Sequence, residues 1–348
     1  MVVAVTVVNA DNSPSVNAAT RAGLALWLRL KLARDVPRPS SSPPKTTLPT
    51  DRVKIAAVQW NADPVRRVQD WSERVQALFR QASRTHCHLL VFPEYLPLSL
   101  LGAVMPSTNA VNTLTDTTIR ALLRSLAPAT FRHWYRWMSA LSRQYRIVTV
   151  AGSGLTVHRG QLVNVAVGFD ADGVERMWQP KWHPLPDELR WGVAKGQPRP
   201  LDVLNPWGLC TMVCNDASYY ESFRMAEALQ VRIATVPIAD PDPRYTEGKA
   251  RRGCFSRVQD VPMVGVVAAS TGRLFGLRLT GKAGIYLPAE LTPDGTGVLA
   301  ESSHPVGEGI VSAVVSLTQV EEFQRDYQAR HPVPPPEFLE ALYQFEED

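Results

Sequence analysis

The sequence predicts an α/β protein in which mixed sheets are covered by helices. Three observations lead there. From residue 53 onward, apolar stretches of strand length alternate with amphipathic stretches of helical period. Short turn sequences join some of the strands, Asp170-Ala171-Asp172-Gly173 being the clearest, so hairpins are interspersed among the helical crossovers. No repeat of fixed period runs through the chain, which argues against a solenoid or propeller.

The 348 residues, 45% hydrophobic and 20% charged, suit one sizeable globular domain. No apolar run reaches the roughly 18 residues of a membrane span. The formal charge of +4 resides in residues 1–50, where Arg21, Arg29, Lys31, Arg34, Arg38 and Lys45 face only Asp11 and Asp35. The remaining chain is balanced and has no basic run with interleaved aromatics, so no nucleic-acid partner is expected. Cys87, Cys210, Cys214 and Cys254 lack paired metal-type spacing and no secretory signal is evident. Free thiols, a cytoplasmic location and no metal or cofactor are the expectations.

Residues 1–50 read as an extension separate from a body at 51–332 and a tail at 333–348. Residues 2–8 suit a short strand, and 37–49, with five prolines and Ser40-Ser41-Ser42, an extended linker. In 17–34 the leucines at 24, 26, 28, 30 and 32 alternate like a strand, but composition and length favour a helix. Its apolar residues, with Trp27, would ring most of the circumference and need a partner. That partner is either the protein's own surface or a neighbouring subunit, or an anionic membrane surface met through Arg29, Lys31 and Arg34.

In the body, strands are expected at 53–59, 88–92, 147–151, 162–169, 175–179, 209–213, 233–237, 263–268, 283–287 and 309–315. Helices are expected at 65–83, 116–126, 131–145, 222–230, 248–259 and 319–327, with another at 336–345. Gly152-Ser153-Gly154 reads as a tight turn, since the helix and acidic residue of a nucleotide fingerprint are missing. His86-Cys87-His88 are metal-capable but adjacent, pointing to alternate faces, so no metal site is expected there.

Cys214 falls between the strand at 209–213 and the helix at 222–230. At such a turn a thiol is pushed out of the sheet, and free helical N–H groups beside the sulfur would favour the thiolate. That suits a nucleophile, although a free cysteine is also a common core filler. Glu94 follows the apolar strand ending in Val91-Phe92-Pro93, where burial would raise its pKa toward that of a working base; a solvated loop glutamate is the plainer alternative. Lys181, in Gln179-Pro180-Lys181-Trp182-His183-Pro184, could hold a developing oxyanion and lower the thiol pKa. A carboxylate, an ammonium and a thiol, each just beyond an apolar strand, have complementary roles.

In order and spacing, Val91-Phe92-Pro93-Glu94, then Pro180-Lys181, then Val213-Cys214-Asn215-Asp216 with Glu221, resemble the Glu-Lys-Cys motifs of the nitrilase superfamily of carbon–nitrogen hydrolases. The likeness spans about 51–332 and includes Val53-Lys54-Ile55-Ala56-Ala57-Val58-Gln59, Arg257-Val258-Gln259-Asp260 and Ala283-Gly284-Ile285. The resemblance implies an αββα sandwich of the nitrilase type, two mixed sheets covered by helices, usually paired into a homodimer. It implies that Cys214 attacks an amide or nitrile carbon, that Glu94 takes the proton, and that Lys181 with the Asn215 backbone N–H holds the oxyanion. Glu188, in the Glu-x-x-Trp-Gly form of an amidase-like branch, would order the pocket.

The sequence departs from that family after the cysteine, where Asn215, Ser218, Tyr219 and Tyr220 replace the usual aromatic and Arg-Phe-Pro pattern. Candidate substrate-pocket residues are Tyr95, Trp182, Trp191, Asn215, Tyr219 and Ile238, pointing to a small apolar or ring-bearing acyl group. The expected activity is amide hydrolysis; acyl transfer or nitrile hydrolysis through the same acyl-enzyme, or a non-catalytic binding protein, are the alternatives.

Overall fold

The computed structural model describes residues 17–37, 47–105, 115–197, 200–332 and 337. The strand expected at 2–8, the middle of the Pro-rich linker, and all but residue 337 of the helix expected at 336–345 lie outside the described residues. The described strands are β1 (Arg52–Asn61), β2 (Leu89–Val91), β3 (Val148–His158), β4 (Gln161–Phe169), β5 (Glu175–Pro180), β6 (Leu209–Thr211), β7 (Ile233–Ile238), β8 (Val264–Leu274), β9 (Leu277–Leu279), β10 (Gly284–Tyr286), β11 (Val298–Glu301) and β12 (Gly309–Ser316). The α-helices are α1 (Ala18–Ala33), α2 (Val68–Arg84), α3 (Asp116–Tyr145), α4 (Pro186–Arg190), α5 (Tyr220–Ala228), α6 (Glu247–Ala250), α7 (Cys254–Asp260) and α8 (Leu317–Arg330).

Two half-sheets face each other. One runs β12-β1-β2-β3-β4-β5, parallel at its centre and antiparallel at both edges, and the other β6-β7-β8-β10-β11, parallel from β6 to β8 and antiparallel beyond. They join along one short parallel ladder, where Gln59, Trp60 and Asn61 of β1 pair with Ala269, Ser270 and Thr271 of β8. Strand alternation explains the layering. Val53, Ile55 and Ala57 of β1 and Val264, Val266 and Ala268 of β8 enter one core between the half-sheets. Ala56, Val58 and Trp60 face outward into a second core with Trp71 and Phe79 of α2 and Trp134 and Met138 of α3. On the other side Ala234 and Val236 of β7 meet Phe223 of α5 and Val258 of α7 in a third. Three apolar interfaces between four layers make an αββα sandwich.

The two helices expected on either side of residue 128 are one helix, α3, with Pro128 inside it. Proline removes one intrahelical donor, but the carbonyl it leaves belongs to exposed Arg124, where water can satisfy it. Leu122, Leu123 and Leu126 before the proline, and Phe131, Trp134 and Met138 after it, bury on the same sheet and hold the axis. The helix expected at 248–259 is instead two pieces, broken at Gly253, whose φ is +68°. Strands β9 and β11 were not anticipated.

The expected turn at 152–154 lies inside β3, as a bulge between Val150 and Ser153. Gly152 has φ +81°, and a Cβ there would stand 2.0 Å from the carbonyl oxygen of Pro93. The glycine thus lets β3 grip the segment just before Glu94, through Phe92 N–H to Val150 O (2.8 Å) and Ser153 N–H to Pro93 O (3.3 Å).

Helix α1 packs on α3 through buried Leu28 and Leu32. Beyond its end, the Asp35 carboxylate accepts from Ser72 Oγ (3.1 Å) and lies 3.1 Å from His133 Nε2, while Trp137 donates to the Asp35 carbonyl (3.2 Å). Leu26, Trp27 and Leu30 remain on its open side. No helix among the described residues is long and apolar enough to cross a membrane.

Candidate active site

Glu94, Lys181, Glu188 and Cys214 converge. Glu94 leaves the end of β2 fully buried, and Tyr95 after it turns the chain with φ +63°. Ser270 of β8 donates to the Glu94 carbonyl (2.7 Å), fastening this turn from the opposite half-sheet. Lys181 follows β5, where its backbone N–H donates to Asn164 O on β4 (2.8 Å). Its ammonium, 1% exposed, lies between two carboxylates: 2.9 Å from Glu94 Oε1 and 2.7 Å from Glu188 Oε2. A lysine has three N–H donors, so one remains beyond these two contacts.

Glu188 belongs to the short helix α4, and its Oε2 also caps that helix by accepting from Leu185 N–H (2.7 Å). Its Oε1 takes the Tyr95 hydroxyl and, at 3.4 Å, Asn164 Nδ2. The same Asn164 amide donates to Glu94 Oε1 (2.8 Å). Asn164 thus ties both carboxylates together from a strand face, and sequence reasoning passed over it. The available signal was a lone amide within the apolar run Leu162-Val163-Asn164-Val165.

Cys214 opens a 3₁₀ turn, Cys214–Ser218, after β6, with φ +52°. A left-handed conformation on a side-chain-bearing residue costs about 1–3 kcal/mol and marks a position held by its surroundings. Burial pushes the thiol well above its ordinary pKa; the Glu94 charge adds to this and Lys181 opposes it. The expected stabilised thiolate is therefore corrected: desolvation outweighs the lysine, and the thiol rests protonated. Glu94 is raised to about 7, first by burial and then by Glu188, against the lowering pull of Lys181. Its Oε2 is buried without a hydrogen bond of ordinary geometry, and the Cys214 thiol is the donor that bears on this carboxylate. Lys181 is raised by Glu94, Cys214 and Glu188 despite its burial and stays charged. The arrangement can move a proton from sulfur to carboxylate beside a fixed cation.

Asp216, 1% exposed, holds the nucleophile's turn against the lysine's segment. Its Oδ1 accepts from the backbone N–H of Trp182 (3.1 Å) and His183 (2.8 Å) and lies 3.0 Å from His183 Nδ1. Its Oδ2 takes Val213 N–H at 3.3 Å.

The pocket residues divide. Tyr95 and Trp191 line a cavity of about 30 Å³ at the charged cluster, together with Leu185, Ala239, Pro241 and three leucines, Leu274, Leu277 and Leu279. Tyr95 is more than an apolar wall, because its hydroxyl is committed to Glu188. The other four candidates are not among the cavity's walls, and neither is Cys214, whose thiol meets the cluster from beside Glu94. Trp182 and Ile238 pack against the third core, Asn215 donates to the His183 carbonyl (3.1 Å), and Tyr219 stacks on His183 at 3.9 Å with its edge in solvent. Side chains alternate about β7, so Ala239 rather than Ile238 faces the cavity. Glu221 is exposed in the first turn of α5. His86, Cys87 and His88 form the turn into β2: Cys87 Sγ contacts Leu89 O (2.9 Å) and His88 Nδ1 accepts from Lys54 N–H (2.9 Å).

No family model matches the sequence, and no curated protein matches it. Solved structures do. An amidase from Nesterenkonia sp. is 20% identical with a TM-score of 0.56, covering 82% of this chain and all of its own. A Glu→Gln mutant of the amidase from Nesterenkonia sp. AN1, with the acetamide moiety of fluoroacetamide added covalently at its active-site cysteine, is 19% identical with a TM-score of 0.57, covering 85% of this chain and all of its own. A carbon–nitrogen hydrolase from Helicobacter pylori G27 is 18% identical with a TM-score of 0.64, covering 82% of this chain and 96% of its own. The fold of this chain is the one shared by these proteins, and the AN1 amidase is described as a member of the nitrilase superfamily.

Proposed function

We propose that this chain is a carbon–nitrogen hydrolase of the nitrilase superfamily, cleaving a small amide through a Cys214 thioester. One observation carries the reading: a buried ammonium bridges two carboxylates, and the one tuned to about 7 faces the thiol. Glu94 accepts the thiol proton as sulfur bonds to the amide carbon. The carbonyl oxygen becomes an oxyanion held by the free N–H of Lys181 and the Asn215 backbone N–H. Collapse breaks the C–N bond, and Glu94 returns its proton to the departing amine or ammonia. Glu94 then deprotonates water, which attacks the thioester; the carboxylic acid leaves and the thiol is restored.

Glu188, Tyr95 and Asn164 serve as a scaffold that orients the lysine and the base. The cavity's size and its leucine and tryptophan walls favour a short apolar acyl group. A charge cluster desolvated at this cost gives a pure binding protein no advantage, which supports catalysis over that alternative. The open Leu26-Trp27-Leu30 side of α1 supports a contact there, with a second subunit of a homodimer or with a membrane surface.

The test is intact-protein mass after brief incubation with small aliphatic and aromatic amides, nitriles and N-carbamoyl compounds, with Cys214→Ala as control. A Cys214-dependent acyl adduct with release of ammonia or amine is expected from an amide. Turnover of nitriles alone, or transfer of the acyl group to added amine without hydrolysis, would replace amidase by one of those activities. Turnover of any of these compounds undiminished in Cys214→Ala would overturn the nucleophile.

A further inference from the structure

The hairpin formed by the end of β8 and β9 has two unlike faces. Gly272 pairs with Leu279 and Leu274 with Leu277, and the three leucines close the catalytic cavity. Between those pairs, Arg273 stands directly opposite Arg278, on the reverse face of the ribbon. Like charges directly opposite on neighbouring strands repel. A two-stranded ribbon is marginal on its own, so an unbalanced pair is an expense without an evident structural return.

Among the described residues only Asp63 brings a negative charge to the same hollow, one against two. Neither guanidinium has an ion-pair or hydrogen-bond partner there, although both arginines line a cavity of about 370 Å³ with Asn61, Asp63, Thr271 and Val306. The nearby carboxylates are engaged elsewhere, Asp63 in neutral hydrogen bonds that leave its charge in place. Asp63 Oδ1 accepts the backbone N–H of Arg273 (2.7 Å) and Oδ2 the amide of Asn61 (3.3 Å). Glu308 is paired with Arg74. The base of the hairpin is held firmly: a Cβ on Gly272, where φ is +84°, would stand 2.1 Å from Asn61 Oδ1. Two forked cations are thus presented side by side over a polar hollow, from a backbone that is fixed at its root.

We infer that this outer pocket binds a small oxyanion, a phosphate or carboxylate group gripped jointly by Arg273 and Arg278, at a site separate from the catalytic cavity. Guanidinium forks match such groups bidentately, and the ligand's charge cancels the cross-strand repulsion. Leu279 borders both cavities, so an occupied outer site steadies the leucines over the inner one. The binding itself does not depend on the catalytic reading.

Calorimetric titration of the full chain with inorganic phosphate, and separately with succinate, at ionic strength fixed with sodium chloride, tests it. One saturable site for at least one of the two is expected, weakened about tenfold or more in Arg273→Gln and in Arg278→Gln, with little further loss in the double variant. Phosphate binding alone would identify a phosphoryl ligand, and succinate binding alone a carboxylate. Amide hydrogen exchange at 272–279 should slow with the bound ion in the unaltered chain only. Absence of saturable binding by both ions, or affinity unchanged in both single variants with native circular dichroism, would overturn the inference.

Discussion

Lys181 Nζ lies 2.9 Å from Glu94 Oε1 with both side chains about 1% exposed, so a full ion pair sits in the protein's interior. Desolvating two charges costs several kcal/mol each, and the pair persists because Glu188 and Asn164 supply further hydrogen bonds to it, with Tyr95 holding Glu188 in turn. Stability and chemistry are coupled here, since the groups that hold the pair together also set the proton affinity of the base.

Lys181→Met should therefore damage folding as well as turnover. Removing the cation leaves two buried carboxylates facing each other, and a loss of about 3–5 kcal/mol is expected. The double variant Lys181→Met, Glu94→Gln should recover part of that stability without recovering activity. Urea denaturation of both proteins checks this; equal stability of the two would remove the coupling.

The pH dependence has opposite signs for folding and catalysis. Burial lifts Glu94 from 4.5 to about 7, so the folded carboxyl keeps a proton that the unfolded one has lost. That contribution to stability is fully present below about pH 4.5 and is lost as pH rises through about 7. Turnover needs the ionised base, so kcat/KM should climb through the same region and level off above it. Stability curves of the parent chain and Glu94→Gln between pH 4 and 9 should differ in this window, and a kcat/KM flat from pH 5 to 8 would contradict the assignment of the base.

Asp216 is expected to act by position. In Asp216→Ala the backbone donors of Val213, Trp182 and His183 lose their acceptor, at about 1–3 kcal/mol for each that stays buried and unpaired. The joint between the cysteine's turn and the lysine's segment should loosen, lowering kcat more than it raises KM, with Asp216→Asn recovering part of the loss. A kcat like the parent's in Asp216→Ala would make the aspartate a stability residue only.

The layered fold was legible because burial and period agree along most strands: residues 53, 55 and 57 enter one core while 56, 58 and 60 enter another. Glu94, Lys181 and Cys214 were legible because each ends such a strand. What escaped depends on neighbours remote in sequence. The run of α3 through Pro128 needs a sheet to lie on, and the bulge at Gly152 needs Pro93 to press against. Asn164 acquires meaning only when Glu94 and Glu188 arrive beside it. The thiol's protonation follows from a burial that local helix polarity does not report. Four of the six pocket candidates are not among the cavity's walls: Trp182 and Ile238 pack against the third core, Tyr219 stacks on His183, and Asn215 bonds the His183 carbonyl, all neighbours that nearness in sequence to Lys181 or Cys214 does not reveal.

The pairing of β1 with β12 sets an order on how the molecule is made. Val53 takes Val315 as its antiparallel partner, and Gln59 takes Gly309, so the earliest strand of the sandwich waits for the last before its edge is filled. Strand β2 can occupy the other edge early, but until β12 emerges from the ribosome the nascent sheet exposes an apolar ladder to whatever else is near. Contacts so distant along the chain close slowly. A chaperone's demand on this protein should therefore fall late in synthesis, and a chain halted before residue 309 should be the most aggregation-prone fragment of it.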